Sequence, residues 1–212
     1  MNIINCVKKF DVKKFIYASS SSVYGESKRF PLNEKNKTNP KNIYGYSKLI
    51  NEKIAEYFSR VYKINCVGLR FFTAFGPWGR PDMLILKLLV ANKKNKIFQL
   101  NNSGNHYRDF TSINDINHII EKLCIKKIYK NHIFNICSNR PIFIKKLVKM
   151  IEKYKGKLKI KNIPKNKADV YKTHGNNKKI LNFLKLKKLS RFENDLKKTI
   201  EWFDKKNITQ LF

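Results

Sequence analysis

The sequence predicts an α/β fold that contains a parallel sheet and a smaller mixed α/β lobe. Short apolar runs with the length of buried strands alternate with segments whose apolar residues recur every three or four positions. Such alternation is typical of parallel sheets, because each crossover between parallel strands needs a connection the size of a helix. The chain has 212 residues, 42% hydrophobic and 29% charged, which is enough to bury a globular core.

The first half of the chain begins with a helix and a strand. Four apolar residues at helical spacing predict a helix over 2–10, and the apolar run that follows predicts a strand over 14–18. Two prolines among many Asn and Lys predict a loop over 26–42. Apolar residues at four-residue spacing then predict a helix over 44–61 with one buried stripe, and residues 66–70 predict the next strand.

The second half continues the alternation. Residues 83–91 predict a helix and residues 97–100 a strand. Ser112, with the acidic Asp115 three positions later, predicts the capped start of a helix over 112–123. The remaining predicted elements are a strand over 132–136, a helix over 144–154, a strand over 157–161 and a terminal amphipathic helix marked by Phe192, Leu196, Ile200 and Phe203.

The formal net charge of +31 raises the question of nucleic-acid binding, because clustered basic residues release counterions from a phosphate backbone. Only seven of the 46 basic residues are Arg, and the lysines are spread through nearly every polar stretch. This distribution favours a solvated basic surface over a specific patch. We therefore rank nucleic-acid binding last among the functions considered.

Cysteine and histidine usage predicts no metal site and no disulfide. Neither residue type shows ligand spacing or clustering, so we interpret the cysteines as reduced core thiols in a reducing cytosol and the histidines as structural. The apolar runs are too short for a secretory signal or a bilayer-spanning helix, which predicts a soluble cytoplasmic protein. The residues concerned are Cys6, Cys66, Cys124, Cys137, His106, His118, His132 and His174.

Tyr44 and Lys48 form the first candidate catalytic pair. They are four residues apart on a predicted helix and therefore share one face of it. A free phenol titrates near ~10, and a nearby ammonium stabilises the phenolate, so that the tyrosine can act as a base closer to neutral pH. The spacing alone is common by chance. A run of four serines over 19–22, followed by Val-Tyr-Gly, strengthens the catalytic interpretation.

The strings FIYASSSSVYG, YGYSK and LRFFTAFGPWGRPDM together resemble the extended short-chain dehydrogenase/reductases that act on nucleotide sugars, and most closely the UDP-glucuronate 4-epimerases. The resemblance runs from about Asn2 to the C-terminus. It implies the C-terminal part of a Rossmann-like sheet, with a partial NAD-binding domain over 1–76 and 113–137. It also implies a lobe that binds the nucleotide sugar over 77–112 and 138–212, and a homodimer that pairs through the Tyr44 helix.

The same resemblance assigns catalytic and cofactor roles. Tyr44 is the implied base and Lys48 its partner, which also holds the nicotinamide ribose of NAD. Ser20, which lies 24 positions before Tyr44 as in the family, is implied to bind the sugar hydroxyl that loses its proton. Ser19 and Phe71 are implied to lie along the cofactor.

Ser21 and Ser22 indicate the type of reaction. The related 4,6-dehydratases carry acidic residues after the catalytic Ser or Thr, because elimination of water needs a separate acid and base. Hydroxyl groups at these positions favour an epimerase, which oxidises C4 and then returns the hydride. The 4-keto intermediate of a uronate is a β-keto acid, so decarboxylation to a pentose stays as a less favoured alternative.

Further residues are implied to bind the substrate. Arg80 would hold the sugar carboxylate, since a guanidinium donates two parallel hydrogen bonds to such a group. Ser21 and Thr73 would bind the sugar or its carboxylate. Arg108 would bind the pyrophosphate, or alternatively form a structural ion pair with Asp109 or Asp115. Asp169 would bind the uridine ribose, with Lys165 or Lys167 adding positive charge.

The family's glycine-rich turn G-x-x-G-x-x-G, which binds the dinucleotide phosphates, does not occur in these 212 residues. We therefore expect that the chain by itself is truncated and does not bind NAD. One hypothesis is an epimerase whose glycine-rich half comes from a separate chain or is missing because of a start-site or reading-frame error. The alternative is a degraded or non-catalytic relative that serves as a binding subunit.

Overall fold

The computed structural model describes residues 2–166 and 169–206. The helices are α1 (Asn2–Lys9), α2 (Ile43–Tyr62), α3 (Leu84–Lys93), α4 (Ile113–Ile125), α5 (Ile144–Lys155), α6 (Lys178–Leu184) and α7 (Phe192–Lys205). The strands are β1 (Lys14–Ser20), β2 (Asn65–Phe71), β3 (Thr73–Phe75), β4 (Phe98–Asn101), β5 (Tyr107–Ser112), β6 (His132–Ile136), β7 (Pro141–Phe143) and β8 (Ile160–Ile163). One-turn 3₁₀ helices span Ser21–Tyr24 and Asn102–Gly104.

The central sheet is parallel, with the strand order β1-β2-β6. In its register Ser20 lies opposite Phe71, and Phe71 lies opposite Ile136, so all three strands end at the same edge. The predicted α/β fold with a parallel sheet is thereby confirmed. Polar residues that follow these strands are brought together at one edge of the sheet.

Both faces of the central sheet are covered by helices, as a parallel sheet requires. Alternate residues of β2 point to opposite sides: Val67 and Leu69 pack in the cluster that contains α4 and α6. Cys66 packs in the cluster on the other side, which contains residues of α1 and α2. The continuous apolar character of β2 follows from burial on both faces.

Two smaller sheets extend the fold beyond the central one. β3 pairs with β5 in parallel and β5 pairs with β7 antiparallel, while β4 and β8 form a separate parallel pair. A hydrophobic cluster joins residues of α3, α5 and α7 to β4 and β5. This mixed arrangement agrees with the expected mixed lobe. The domain boundaries given above stay a prediction.

The structure corrects several expected elements. The strand expected over 157–161 lies at Ile160–Ile163, because it pairs with β4 from Ile160 onward. Ser112 caps α4 through its hydroxyl, as predicted, but Asp115 accepts hydrogen bonds from Ser190 instead of closing a capping box. The sequence analysis predicted no element for β3, β5, β7 or α6.

The four cysteines are free thiols, and they differ in exposure. Cys66 and Cys137 are buried, and burial raises the pKa of Cys66 to about 11. Cys6 and Cys124 are exposed, so the prediction of core thiols is wrong for these two, which lie on helix faces turned away from the core. Among the residues that the structure describes, none of the helices has the length and apolar content needed to cross a membrane.

Candidate active site

A cleft of about 660 Å³ lies at the edge where β1 and β2 end. Its walls come from the end of β1 and the serine turn (Ser21–Tyr24), from the start of α2, from the end of β2 with β3, and from the loop over 76–83 before α3. Among the sequence-predicted site residues, the cleft brings together Ser19, Ser20, Ser21, Tyr44, Phe71, Thr73 and Arg80.

The serine turn is a 3₁₀ helix that begins directly after β1. Ser20 caps it: the Ser20 hydroxyl accepts a hydrogen bond from the Ser22 backbone N–H at 3.1 Å and lies 3.1 Å from the Ser22 hydroxyl. Gly25 ends the turn at a φ of 66°, where a Cβ atom would lie 1.9 Å from the Asn39 carbonyl oxygen. Glycine is therefore required at this position for the turn to close against the following loop.

The start of α2 places Tyr44 beside this turn. Asn42 caps the helix by accepting a hydrogen bond from the Gly45 N–H at 2.8 Å. A Cβ atom on Gly45 would lie 2.7 Å from the Ser22 carbonyl oxygen, so the absence of a side chain lets the helix approach the serine turn. Tyr44 itself is 53% exposed and lines the cleft.

Lys48 links the tyrosine to the end of β1. Its Nζ donates a hydrogen bond to the Ala18 carbonyl oxygen at 3.1 Å and lies 5.7 Å from the centroid of the Tyr44 ring. The ammonium group has three N–H donors, and this bond uses one of them. The structure therefore places the predicted pair side by side, with hydrogen-bonding capacity left on Lys48.

A buried ion pair that the sequence analysis missed is bonded to Ser19, one of the residues that line the cleft. Arg70 of β2 donates from Nε and Nη2 to the two carboxylate oxygens of Glu52 on α2, at 2.8 and 2.7 Å. The side chains are only 6% and 7% exposed. The Ser19 hydroxyl donates to the same carboxylate at 2.5 Å. Ser19 is thus tied to the ion pair, and its expected role beside a cofactor stays a prediction.

The buried network continues to β6. The Arg70 guanidinium lies 4.8 Å from the centre of the Tyr24 ring, and the Tyr24 hydroxyl donates to Asn135 at 2.7 Å. Burial raises the pKa of Tyr24 to about 12, so this phenol is protonated at neutral pH. The serine turn, α2 and the three strands of the central sheet are therefore joined by buried polar contacts.

The loop before α3 forms the outer wall of the cleft. Arg80 donates from Nε to Asp82 at 3.0 Å and from Nη2 to the second oxygen of the same carboxylate. Both side chains are exposed, at 74% and 52%. Trp78 has a positive φ of 59° and contacts Trp202 of α7 at 5.4 Å between ring centres. The loop is therefore attached to α7 through the two indole rings.

A second pocket of about 180 Å³ adjoins the cleft and shares Ser21 and Thr73 with it. It contains Arg108 and Asp169, the two residues predicted to bind the nucleotide part of a substrate. Lys41 and Lys172 also line it. Two positive side chains besides Arg108 make this pocket suitable for an anionic group.

Arg108 is held in place by backbone and carboxylate groups. It donates to the Tyr107 and Val170 carbonyl oxygens at 2.9 and 3.0 Å, and its Nη2 lies 3.9 Å from Asp169. Burial lowers the pKa of Arg108, and Asp169 opposes that effect. The alternative partners bond elsewhere: Asp109 accepts from Ser138 and Gly175, and Asp115 accepts from Ser190.

Two lysines were expected to add positive charge near Asp169. Lys165 is exposed in the loop after β8, and Lys167 lies outside the described residues. The Asp169 carboxylate accepts a hydrogen bond from the Asn101 side chain. Asn101 was not predicted to contribute to the site, and its position at the end of β4, far from Asp169 in sequence, gave no local signal.

The histidines lie outside the cleft. His106 is buried, and burial lowers its pKa to about 4. His174 lies 2.8 Å from the Asn139 side chain, and burial likewise lowers the pKa of His132. His118 lies 3.9 Å from Glu121 on the surface of α4. These contacts agree with the structural role expected from the sequence.

Comparison with known proteins identifies the family. The model of the NAD-dependent epimerase/dehydratase family matches residues 1–137. The chain belongs to this family. The cofactor of this family is NAD, the cofactor that the sequence analysis expected.

Individual relatives agree with this assignment. Arabidopsis thaliana UDP-glucuronate 4-epimerase 4 is 34% identical over 89% of this chain and 47% of its own length. Protein CapI of Staphylococcus aureus is 32% identical over 96% of this chain and 66% of its own length. The Bacillus cereus UDP-glucuronic acid 4-epimerase, solved with UDP-glucuronic acid and NAD, superposes with a TM-score of 0.90 at 27% identity, over 99% of this chain and 66% of that one.

The chain spans only part of these relatives, from about half to about two thirds of their length. The dTDP-glucose 4,6-dehydratase DesIV of Streptomyces venezuelae also superposes, with a TM-score of 0.91 at 18% identity. At that identity the likeness concerns the fold alone. Fold similarity therefore does not distinguish an epimerase from a dehydratase, and the site residues must do so.

The residues of the cleft fit one end of the family's dinucleotide. Ala18, Ser19 and Phe71 line the cleft at the strand ends, which is where dinucleotides bind in open parallel sheets. Lys48 has free N–H donors beside Ala18 that could hold the hydroxyl groups of a ribose. Lys48 and Phe71 therefore fit the nicotinamide riboside end of this dinucleotide, whereas the Ser19 hydroxyl is already bonded to Glu52.

Proposed function

We propose that this chain carries the catalytic and substrate-binding part of an NAD-dependent nucleotide-sugar 4-epimerase that acts on UDP-glucuronate. The observation that supports this most directly is the geometry of the serine turn. Tyr44 and Ser20 line the same cleft, and Lys48 lies 5.7 Å from the Tyr44 ring centroid and bonds to Ala18 in the strand that ends at Ser20. The two residues after Ser20 are serines, which provide neither the acid nor the base that elimination of water needs. This arrangement suits the removal and return of one proton at a sugar hydroxyl.

Tyr44 is the group that would move the proton. Its exposed phenol lines the cleft, and the Lys48 ammonium, 5.7 Å from the ring centroid, would offset the negative charge that forms on Tyr44 during the transfer. Bound NAD would supply a reversible hydride acceptor for the sugar carbon. Lys48 would at the same time bind the ribose, because its remaining N–H donors lie beside the end of β1.

Ser20 would orient the sugar hydroxyl. Its own hydroxyl already accepts from the Ser22 N–H, which leaves its proton to donate, and the Ser22 hydroxyl lies within reach as the acceptor. A sugar oxygen could replace Ser22 as that acceptor without disturbing the turn. The sugar would then be held between Ser20 and Tyr44.

Three polar side chains of the cleft support an acidic sugar as the substrate. Thr73 and Ser21 line both the cleft and the second pocket, so they lie between the two. Arg80 lies on the outer wall and can form a two-bond contact with a carboxylate. Arg108 and Asp169 would hold the pyrophosphate and ribose in the second pocket.

The open edge of β1 and the exposed face of α2 would each bind a partner. Among the described residues β1 pairs only with β2, so its second edge is open to a further parallel strand from a segment or a separate chain that carries the glycine-rich turn. A homodimer would pair through α2, whose exposed face carries apolar residues. They are Ile43, Tyr46, Ile50, Tyr57 and Val61.

The test compares the chain alone with the chain joined to or mixed with a segment that carries the glycine-rich turn. Each sample receives UDP-glucuronate and NAD, and the products are resolved by NMR. We expect UDP-galacturonate only when the glycine-rich segment is present, and no NAD binding by the chain alone. A pentose product or no turnover in the joined protein would contradict the proposal.

Matched tyrosine variants on α2 test whether Tyr44 is the base. Tyr44→Phe should reduce turnover by about 10²- to 10⁴-fold, because the proton carrier is lost. Tyr62→Phe removes an exposed phenol from the other end of the same helix, away from the cleft, and should leave turnover unchanged. Equal activity of the two variants would exclude Tyr44 as the base.

A further inference from the structure

Arg80, which is proposed to bind the substrate carboxylate, is already paired with Asp82. Arg80 donates from Nε to one Asp82 oxygen at 3.0 Å and from Nη2 to the other. This two-bond contact has the same geometry that an arginine forms with any carboxylate. Arg80 lines the cleft that contains Tyr44, so the contact lies at the wall of the cleft.

The ion pair between Arg80 and Asp82 is weak. Both side chains are mostly exposed, so solvent screens their attraction, and exposed ion pairs contribute little to stability. Arg80 lowers the pKa of Asp82, so the carboxylate is ionised at neutral pH. One carboxylate can therefore be exchanged for another on Arg80 at little cost, whereas a neutral hydroxyl cannot replace the charge.

We propose that Asp82 is a specificity-determining residue that competes with the carboxylate of an acidic nucleotide sugar for Arg80. The inference rests on the proposed function and deepens it. With a neutral sugar, Arg80 stays paired with Asp82 and adds nothing to binding. With an acidic sugar, the substrate carboxylate displaces Asp82, and the net gain is the difference between the two contacts.

The proposal predicts that removing the internal competitor strengthens binding of the acidic sugar alone. Asp82→Asn keeps the size of the side chain and removes its charge. UDP-glucuronate should then bind about two- to fivefold more tightly, which corresponds to the loss of one exposed ion pair. The affinity for UDP-glucose should not change. Isothermal titration calorimetry of the 212-residue chain with each nucleotide sugar measures both affinities without NAD or turnover.

Two further variants control the experiment. Asp11 also pairs with a basic residue two positions away, Lys13, and both side chains are exposed. Asp11→Asn therefore makes the same charge change away from the cleft and should alter neither affinity. Arg80→Gln should lower the affinity for UDP-glucuronate, and adding Asp82→Asn to it should give no gain.

Several outcomes would overturn the inference. Weaker UDP-glucuronate binding by Asp82→Asn would mean that Asp82 orients Arg80, and equal tightening of both sugars would mean a general charge effect. An Arg80-dependent preference for UDP-glucuronate that Asp82→Asn leaves unchanged would overturn the inference alone. If UDP binds but the chain shows no preference and Arg80→Gln has no effect, the acidic substrate of the proposed function fails as well.

Discussion

Two arginine–carboxylate pairs of the same geometry differ in their exposure. Arg70 and Glu52 form a two-bond contact in the interior and are 6% and 7% exposed. Arg80 and Asp82 form a two-bond contact at the wall of the cleft and are 74% and 52% exposed. The chemistry is identical, but water screens only the second pair. The buried pair can therefore serve as a fixed support, and the exposed pair can exchange partners.

The buried pair connects the elements that carry the candidate catalytic residues. Glu52 lies on α2 two turns after Tyr44, and its carboxylate also accepts the Ser19 hydroxyl next to Ser20. Arg70 lies on β2, between β1 and β6. A shift of this pair would move α2 relative to the end of β1. We infer that its main effect is to hold the spacing between Tyr44 and Ser20.

The largest expected effect follows from removing one partner of the buried pair. Glu52→Ala leaves the Arg70 charge buried without a carboxylate and should lower the free energy of unfolding by about 3–5 kcal/mol. Glu56→Ala, on the same helix, removes an exposed carboxylate paired with Lys53 and should change it by less than about 0.5 kcal/mol. Urea unfolding followed by circular dichroism measures both. Similar losses for the two variants would contradict the role assigned to burial.

The contrast between these two glutamates also shows what the sequence could reveal. Tyr44 and Lys48 were found because their spacing is local, and Glu52 continues the same four-residue spacing. Glu52 was nevertheless missed, because its partners Arg70 and Ser19 are 18 and 33 positions away and a helical Glu is usually solvated. Only the folded sheet brings these side chains together.

The same distinction applies to the strands. β1, β2 and β6 were predicted because each contains an apolar run long enough to identify a buried strand. β3 and β7 have three residues each, which is too short to show any periodicity. Their pairing with β5 depends on residues far away in the chain. Local patterns therefore predicted the strands of the central sheet but not the short strands that pair with β5.

A smaller effect is expected from changing the shape of the cation while keeping its charge. Arg70→Lys cannot form the two-bond contact with Glu52 and should lower the free energy of unfolding by about 1–3 kcal/mol. Arg80→Lys makes the same change in the exposed pair and should leave the unfolding midpoint unchanged. Parallel thermal and urea denaturation of both variants tests this. A loss of stability in Arg80→Lys would show that the outer wall is also structural.

A third pair, Arg108 and Asp169, is intermediate in exposure. The charges of both residues act on the pKa of the nearby His106. Burial and the charge of Arg108 lower the pKa of His106 to about 4, below the value of about 6.5 expected in the unfolded chain. The unfolded state therefore binds more protons between these values, and stability is lost as the pH falls from about 6.5 to about 4.

The loss attributable to His106 should be about 1–2 kcal/mol once solvent screening is allowed for. Unfolding of the wild type and of His106→Gln at several pH values isolates it, because the other titrating groups, including His132 and His174, are common to both proteins. The wild type should lose more stability on acidification. Equal pH dependence would show that His106 remains accessible to protons in the folded state.

The smallest expected effect separates the two pairs by their response to salt. Raising NaCl from about 0.05 M to about 0.5 M shortens the screening length and weakens contacts between exposed charges. The preference of the chain for UDP-glucuronate over UDP-glucose should then fall by about two- to fivefold, because Arg80 is exposed. The stability difference between the wild type and Glu52→Ala should stay the same, because the buried pair is shielded from ions. Titration calorimetry measures the preference and urea unfolding measures the stability difference, each at the two salt concentrations. A preference that does not change with salt would mean that the substrate carboxylate binds in a buried part of the cleft, away from Arg80.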